Sequence, residues 1–426
     1  MRRWKGFAGV VLSLAVFLIA AWPAAEASAQ AAKEVVIGFT GPISGVAAEY
    51  GQDCVNGIDM AINEINAAGG ITVKGQKHVL KLVKLDDMID PTQAVNNCRR
   101  LRDQYKAPAV YNPVFNTLAA MAKINEEKGN EFLIMAYTST PKMIEMGNKL
   151  VVAPPPPFTI YVRSMADVAW KAGYRKAAMV VTLGAYGDEW RAAFKEHWLS
   201  KGGQITEDKP ANYYAETDFS AQLTAALATK PDVLLIGGPS ASTALVVEQA
   251  RGLGYKGAFI LIDQAKMDYM AKILKGTQLM NGTIGVAAVG QVPFPATPAF
   301  EKKYTSLYKR MLTWEVSLNY TAMHALAKAM VAAGTVDDPV AIRAAFPKAF
   351  PLRGDKYPVE YFGITPGGRL QIAGAVQTIK DAKYSPVQSW YWWFKTPEEL
   401  KKFLTDMNVE LPQGATAEFL KFEKDQ

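Results

Sequence analysis

The chain has 426 residues, half of them hydrophobic and a fifth charged, with a formal net charge of +7. That length suffices for two domains with separate cores. The positive excess is spread out, with only small clusters such as Lys302-Lys303 and Lys401-Lys402; it lacks the basic stripe with interleaved aromatics that nucleic acid binding requires, so no nucleic acid partner is expected.

Arg2, Arg3 and Lys5 precede an apolar stretch from about Phe7 to Trp22, and Ala27-Ser28-Ala29 supplies the small residues of a cleavage site. This pattern predicts a signal peptide over residues 1–29, since the apolar run is short for a membrane span of roughly 20 residues. Removing Arg2, Arg3, Lys5 and Glu26 lowers the net charge by two, to +5. The mature chain is expected to be soluble in the periplasm. No cysteine near the cleavage site offers a lipid anchor.

The next sixty residues read as one βαβ unit. Val35-Val36-Ile37 leads into Gly38-Phe39-Thr40-Gly41-Pro42-Ile43-Ser44-Gly45, then Glu49-Tyr50-Gly51. Val55, Ile58, Ile62 and Ile65 follow at helical spacing, and Gly69-Gly70 stops the helix because glycine takes the left-handed conformation without steric cost. A second strand through Leu80, Leu82 and Leu85 ends at Asp86-Asp87. Asp90 then caps a helix opened by Pro91, where a missing N–H costs nothing. This segment resembles the periplasmic leucine/isoleucine/valine-binding proteins, receptors of ABC importers. The resemblance implies a type I periplasmic binding fold: α/β, with two Rossmann-like lobes on parallel central sheets, joined by a three-segment hinge.

Strand and helix signals keep alternating, as expected of parallel sheets covered on both faces. Ala109-Val110-Tyr111 is a strand, a helix is expected from about Leu118 to Glu127, and Phe132–Ala136 is a strand. The run Pro154–Pro157 favours a stiff, extended connector. Further strands are expected at Ala178–Val181, Asp232–Gly238 and Gly257–Asp263, with helices beginning near Gly187, after Asp218 and through Ala244–Arg251. Residues 295–333 look helical throughout, and Tyr361–Ile379 looks like paired strands about a Pro366-Gly367-Gly368 turn. Lobe 1 is expected to comprise 34–153 and 290–372, lobe 2 to comprise 154–289 and 373–386. Residues 387–426, with Trp390-Tyr391-Trp392-Trp393-Phe394 and a helix over Glu398–Asp406, are expected to form an extension whose aromatics latch onto a lobe. The aromatic stripe of Tyr304, Tyr308 and Tyr320 is expected in the core.

Cys54 and Cys98 lie in consecutive helices. Export permits a disulfide, whereas crossover helices on opposite sheet faces would hold the sulfurs apart; both outcomes stay open.

Anion-binding loops in open α/β sheets lie at the carboxyl ends of strands, beside helix N-termini. By resemblance, Ser139 presents a hydroxyl and Tyr137 a carbonyl to an amino acid's head group. Asp263 falls where the family carries an acid for the ammonium. Tyr50 and Tyr186, in matching Tyr-Gly contexts, would be aromatic walls from the two lobes. The loop Asn112–Thr117 lacks the family's serines, so Asn116 or Thr117, or backbone N–H groups alone, would have to serve. Gly238-Pro239-Ser240-Ala241 lacks the family's tyrosines, which Phe115 and Tyr137 could replace. Together these residues imply capture of a small amino acid or related carboxylate or amide by lobe closure, and delivery to a membrane permease by a monomer. A sensor of the same fold, or a receptor for aromatic carboxylates, is the alternative. Two cysteines and three scattered histidines (His78, His197, His324) match no metal-ligand spacing, and no Walker, G-x-S-x-G, H-E-x-x-H or dinucleotide fingerprint occurs. Neither a cofactor nor catalysis is therefore expected.

Overall fold

In the computed structural model, residues 31–45, 47–292, 294–411 and 413–420 are described; the expected signal peptide lies outside them. Apolar runs become strands and amphipathic stretches become covering helices, giving two sheets. The first contains β1 (Lys33–Gly41), β2 (Ile71–Val73), β3 (Gln76–Asp86), β4 (Ala109–Asn112), β5 (Leu133–Ala136) and β6 (Val151–Val152), in the order β2-β3-β1-β4-β5-β6. All pairs are parallel except β2–β3. The second contains β7 (Lys176–Val181), β8 (Gln204–Asp208), β9 (Val233–Gly237), β10 (Ala258–Leu261), β11 (Thr283–Val286), β12 (Gly374–Lys380), β14 (Gln388–Tyr391) and β15 (Thr416–Phe419), with β13 (Lys383–Tyr384) pairing β12 to one side. Its order is β15-β14-β12-β11-β10-β9-β7-β8, and β12 runs antiparallel to both neighbours.

Each sheet is buried on both faces, which is why its central strands are continuously apolar rather than alternating. Ile37, Phe39, Tyr111 and Met135 face one core of the first sheet, and Val36, Val110 and Ile134 face the other. Cys54 packs in the former and Cys98 in the latter, and both are free thiols. The sheet between them keeps the sulfurs apart. Asp90 caps its helix as expected, accepting from the Gln93 N–H at 2.7 Å.

Several boundaries differ from expectation. The helix expected at Leu118–Glu127 spans Phe115–Met121. Residues 295–333 divide into helices Thr297–Tyr308 and Trp314–Ala333, because Lys309 turns left-handed at φ 55° and ends the first. Within Tyr361–Ile379 the segments on either side of the turn pair briefly, with Thr365 N–H donating to Arg369 O, Phe362 N–H to Gln371 O and Gln371 N–H to Gly363 O around the Ile364–Leu370 bridge, while the regular strand β12 pairs instead with β11 and β14. The segment set apart as 387–426 contributes two strands to the second sheet. Its aromatics do pack inward: Trp392 is fully buried and donates to the Ile372 carbonyl at 2.8 Å. Among the described residues no helix is long and apolar enough to cross a membrane.

The proline connector is buried, not a free linker. The Ala153 N–H donates to the Gly368 carbonyl and the Ala153 carbonyl accepts from the Leu370 N–H, and Tyr361 donates its hydroxyl to the Pro154 carbonyl at 3.2 Å. Arg369, completely buried, donates to Pro155 O at 2.9 Å, Thr138 O at 3.2 Å and Thr140 O at 2.8 Å. A guanidinium's fork of donors suits three converging carbonyls.

Candidate functional site

The carboxyl ends of β5, β7 and β10 converge. From the first lobe, the turn after β5 presents Ser139, which is 5% exposed. From the second, Tyr186 stands in the first turn of the Ala185–Ser200 helix and Asp263 two residues beyond β10. The Ser139 and Tyr186 hydroxyls are 2.9 Å apart, and the Tyr186 hydroxyl donates a very short bond to Asp263 Oδ1. Trp190, one helical turn after Tyr186, donates its indole N–H to the same carboxylate oxygen at 3.0 Å. Phe158 stacks on Trp190 at 5.2 Å and meets the Tyr186 ring edge-on at 5.9 Å. A serine, a phenol, an indole and a carboxylate thus form one bonded chain across the gap between lobes. Burial raises the Asp263 pKa, while bonds from Ser139, Tyr186 and Trp190 pull it back.

The paired Tyr-Gly contexts have a common cause. A Cβ on Gly51 would lie 1.7 Å from the Pro42 carbonyl oxygen, and one on Gly187 would lie 1.9 Å from that of Thr182. In both lobes only glycine lets the first helical turn press against the preceding loop. That approach fixes the adjacent tyrosine at the lobe's rim. Tyr50 donates to the Pro113 carbonyl at 3.2 Å and meets Tyr137 edge-on at 6.1 Å.

Asn116 and Thr117 stand apart from the cluster. Asn116 is exposed, and the Thr117 hydroxyl lies 2.8 Å from both Asn112 Oδ1 and Val114 O, serving its own turn. Neither hydrogen-bonds to Ser139, Tyr186 or Asp263.

Other groups bridge the lobes that sequence reasoning did not single out. Thr140 donates to Glu189 Oε2 at 2.7 Å. Lys266, three residues beyond Asp263, reaches into the first lobe, 3.6 Å from Glu315 Oε2 and 3.7 Å from Glu49 Oε1. Burial works to lower the Lys266 pKa, but the carboxylates of Glu315, Asp53 and Glu49 outweigh it and the net shift is upward. Arg310 in turn pairs Asp53 at 2.8 Å. Glu315 had one legible signal: an acid flanked by Trp314 and Val316 at the head of a strongly apolar helix.

Chemically the cluster offers hydroxyl donors and a carboxylate acceptor. Ser139 faces a phenol, not an imidazole, so the arrangement is not a serine–histidine pair poised for acyl transfer. Among the described residues no group of acids, cysteines and histidines could hold a metal ion.

Two α/β lobes with hydrogen-bonding side chains meeting at their strands' carboxyl ends define a solute-binding protein of the hinged type. The model for the periplasmic binding protein family matches residues 34–383, and the chain belongs to that family. An amino acid binding protein of Pseudomonas aeruginosa is 29% identical over 264 residues, covering 60% of this chain and 68% of that one. Among solved structures, a leucine binding protein of Thermotoga maritima superposes with a TM-score of 0.71 at 24% identity, covering 83% of this chain and 98% of its own. An ABC transporter solute binding protein of R. palustris, solved with benzoate, gives 0.69 at 18% identity, over 82% and 94%.

Proposed function

We propose that the chain is the exported solute-binding component of an ABC importer. It captures a small amino acid by lobe closure and presents the closed form to a membrane permease, acting as a monomer. The observation that carries this reading is the Ser139–Tyr186–Asp263 chain. It joins a hydroxyl on one lobe to a partly buried carboxylate on the other, so a molecule bonded to both holds the lobes together. Asp263 receives the ligand's ammonium, Ser139 and the backbone at Tyr137 engage its head group, and Tyr50 and Tyr186 close over it. Tyr186 donates to Asp263 Oδ1, and the ligand's ammonium competes for the same carboxylate. Only a ligand with differential affinity for the closed arrangement shifts its population.

The relative named an amino acid binding protein supports this choice of solute, and the acid at Asp263 supports it over an aromatic carboxylate, which brings no cation to pair with that acid. A few charge-assisted bonds of roughly 1.5–3 kcal/mol each reach the approximately 8 kcal/mol of a micromolar complex. A thermal-shift screen over amino acids and aromatic acids, followed by calorimetry on wild type and Asp263→Ala, tests it. At least a tenfold loss of amino acid affinity is expected. Binding of aromatic acids alone, or unchanged affinity in the variant, overturns the reading.

A further inference from the structure

Two bonds between the lobes run side by side. The Ser139 and Tyr186 hydroxyls meet at 2.9 Å, and the next residue, Thr140, donates its hydroxyl to Glu189 Oε2 at 2.7 Å. Glu189 follows Tyr186 by three positions in the Ala185–Ser200 helix, and residues so spaced are neighbours on a helix surface. The first bond uses groups assigned above to the solute. The second does not: Thr140 is completely buried, and the single proton of its hydroxyl is given to Glu189.

Both ends of this second bond are firmly supported. The Thr140 carbonyl accepts from Arg369 at 2.8 Å, and the same guanidinium holds Thr138 and Pro155. Across the gap, Glu189 lies between Gly187, where the helix presses on the Thr182 carbonyl, and Trp190, fully buried against Phe158. A donor and an acceptor fixed in advance lose little freedom on meeting. The acceptor is also a carboxylate, which makes the bond stronger than one between neutral groups.

We propose that Thr140 and Glu189 form a closure clasp, a bond between the lobes that favours the closed arrangement before any solute arrives. They are positioning residues: they set Ser139 against Tyr186 and touch no solute themselves. The proposal rests on the lobe-closure part of the function given above and not on the choice of solute. Stabilising the arrangement that grips the solute raises apparent affinity for every solute alike, so the clasp adds affinity and leaves selectivity to Asp263 and its partners.

Small-angle X-ray scattering on the full mature chain, freed of solute by dialysis against denaturant and refolded, reads the closed-to-open ratio. Glu189→Ala should lower that ratio about tenfold, as expected for one charge-assisted bond, and so enlarge the radius of gyration. Thr140→Val should enlarge it equally. The double variant should go no further than either single one, because the same bond is lost in all three. Glu189→Gln keeps an acceptor and should stay nearer to wild type. Glu189 is half-buried on a helix, where alanine is a good helix former, so this variant keeps the test open even if Thr140→Val folds poorly. A radius unchanged in Glu189→Ala, or effects that add in the double variant, overturns the clasp. No solute enters this measurement, so its failure is separate from failure of the amino acid reading, which the calorimetry on Asp263→Ala decides.

Discussion

Arg369 grips Ser139 from both sides without bonding to it. Its guanidinium donates to the carbonyls of Thr138 and Thr140, the residues flanking Ser139, and to Pro155 in the connector. The loop that carries the first-lobe hydroxyl is therefore pinned to the hinge. Replacing Arg369 by Met removes one donor group from three buried carbonyls, each worth about 1–3 kcal/mol when orphaned. The variant should lose about 3–5 kcal/mol of stability, read as a lower urea midpoint, and bind amino acids about tenfold more weakly. Arg369→Lys, which keeps charge but not the fork, should recover only part of each.

Tyr186 is a donor to Asp263 and so holds its carboxyl pKa below what burial alone would produce. An ammonium ligand needs the carboxylate, so affinity falls as pH drops through the Asp263 pKa. Burial has raised that pKa above the ordinary carboxylate value, hence the loss begins at higher pH than for an exposed aspartate. Tyr186→Phe keeps the ring against Phe158 but removes the donor. The midpoint of the pH–affinity profile should move further upward, and calorimetry across acidic pH checks it. A midpoint at or below that of wild type would show that Tyr186 does not tune Asp263.

Much of this was legible in the residues, for identifiable reasons. Continuous apolar runs such as Val233–Ile236 and the caps at Asp90 are local signals, and local signals place elements. Tyr50-Gly51 and Tyr186-Gly187 were legible as a matched pair, and Gly51 and Gly187 explain why. What escaped were relationships between distant segments. Arg369 lies 230 positions from Ser139 in sequence, and nothing in Gly367-Gly368-Arg369 indicates which carbonyls it will serve. Trp190 was legible as an apolar helix residue, but its N–H bond to Asp263 depends on how β7 and β10 flank β9. The helix break at Lys309 was hidden for a different reason: lysine there adopts a conformation that its side chain does not announce.

The tryptophan-rich tail is part of the second lobe's architecture. Trp390 and Trp392 pack into the core formed by Met179, Val181, Ile260 and Ile284, while β14 covers the edge of β12. Trp392→Ala should cost about 3–5 kcal/mol, the range for emptying a buried aromatic site. Ending the chain after Pro386 should do worse, exposing Val376 and an unpaired strand edge that invites aggregation. Denaturation and light scattering report both. A truncated protein as stable as the full chain would mean that the tail merely decorates the sheet.

His324 lies between Tyr320, at 4.7 Å, and Tyr357, at 5.5 Å, and burial pushes its pKa from 6.5 down to about 4. The unfolded chain therefore binds a proton in this interval that the folded chain refuses. Its contribution to stability is present above the unfolded pKa and is lost as pH falls from about 6.5 through 4. Asp53 acts in the opposite sense: burial raises its pKa to about 6, so its contribution is present at low pH and lost as pH rises through that value. The wild-type profile alone thus mixes two opposed slopes. His324→Gln removes one of them, and the difference in melting temperature between variant and wild type should shift in the variant's favour as pH goes from 7 to 4.5. A difference that stays constant over that range would mean His324 takes up its proton as readily in the folded protein as in the unfolded chain.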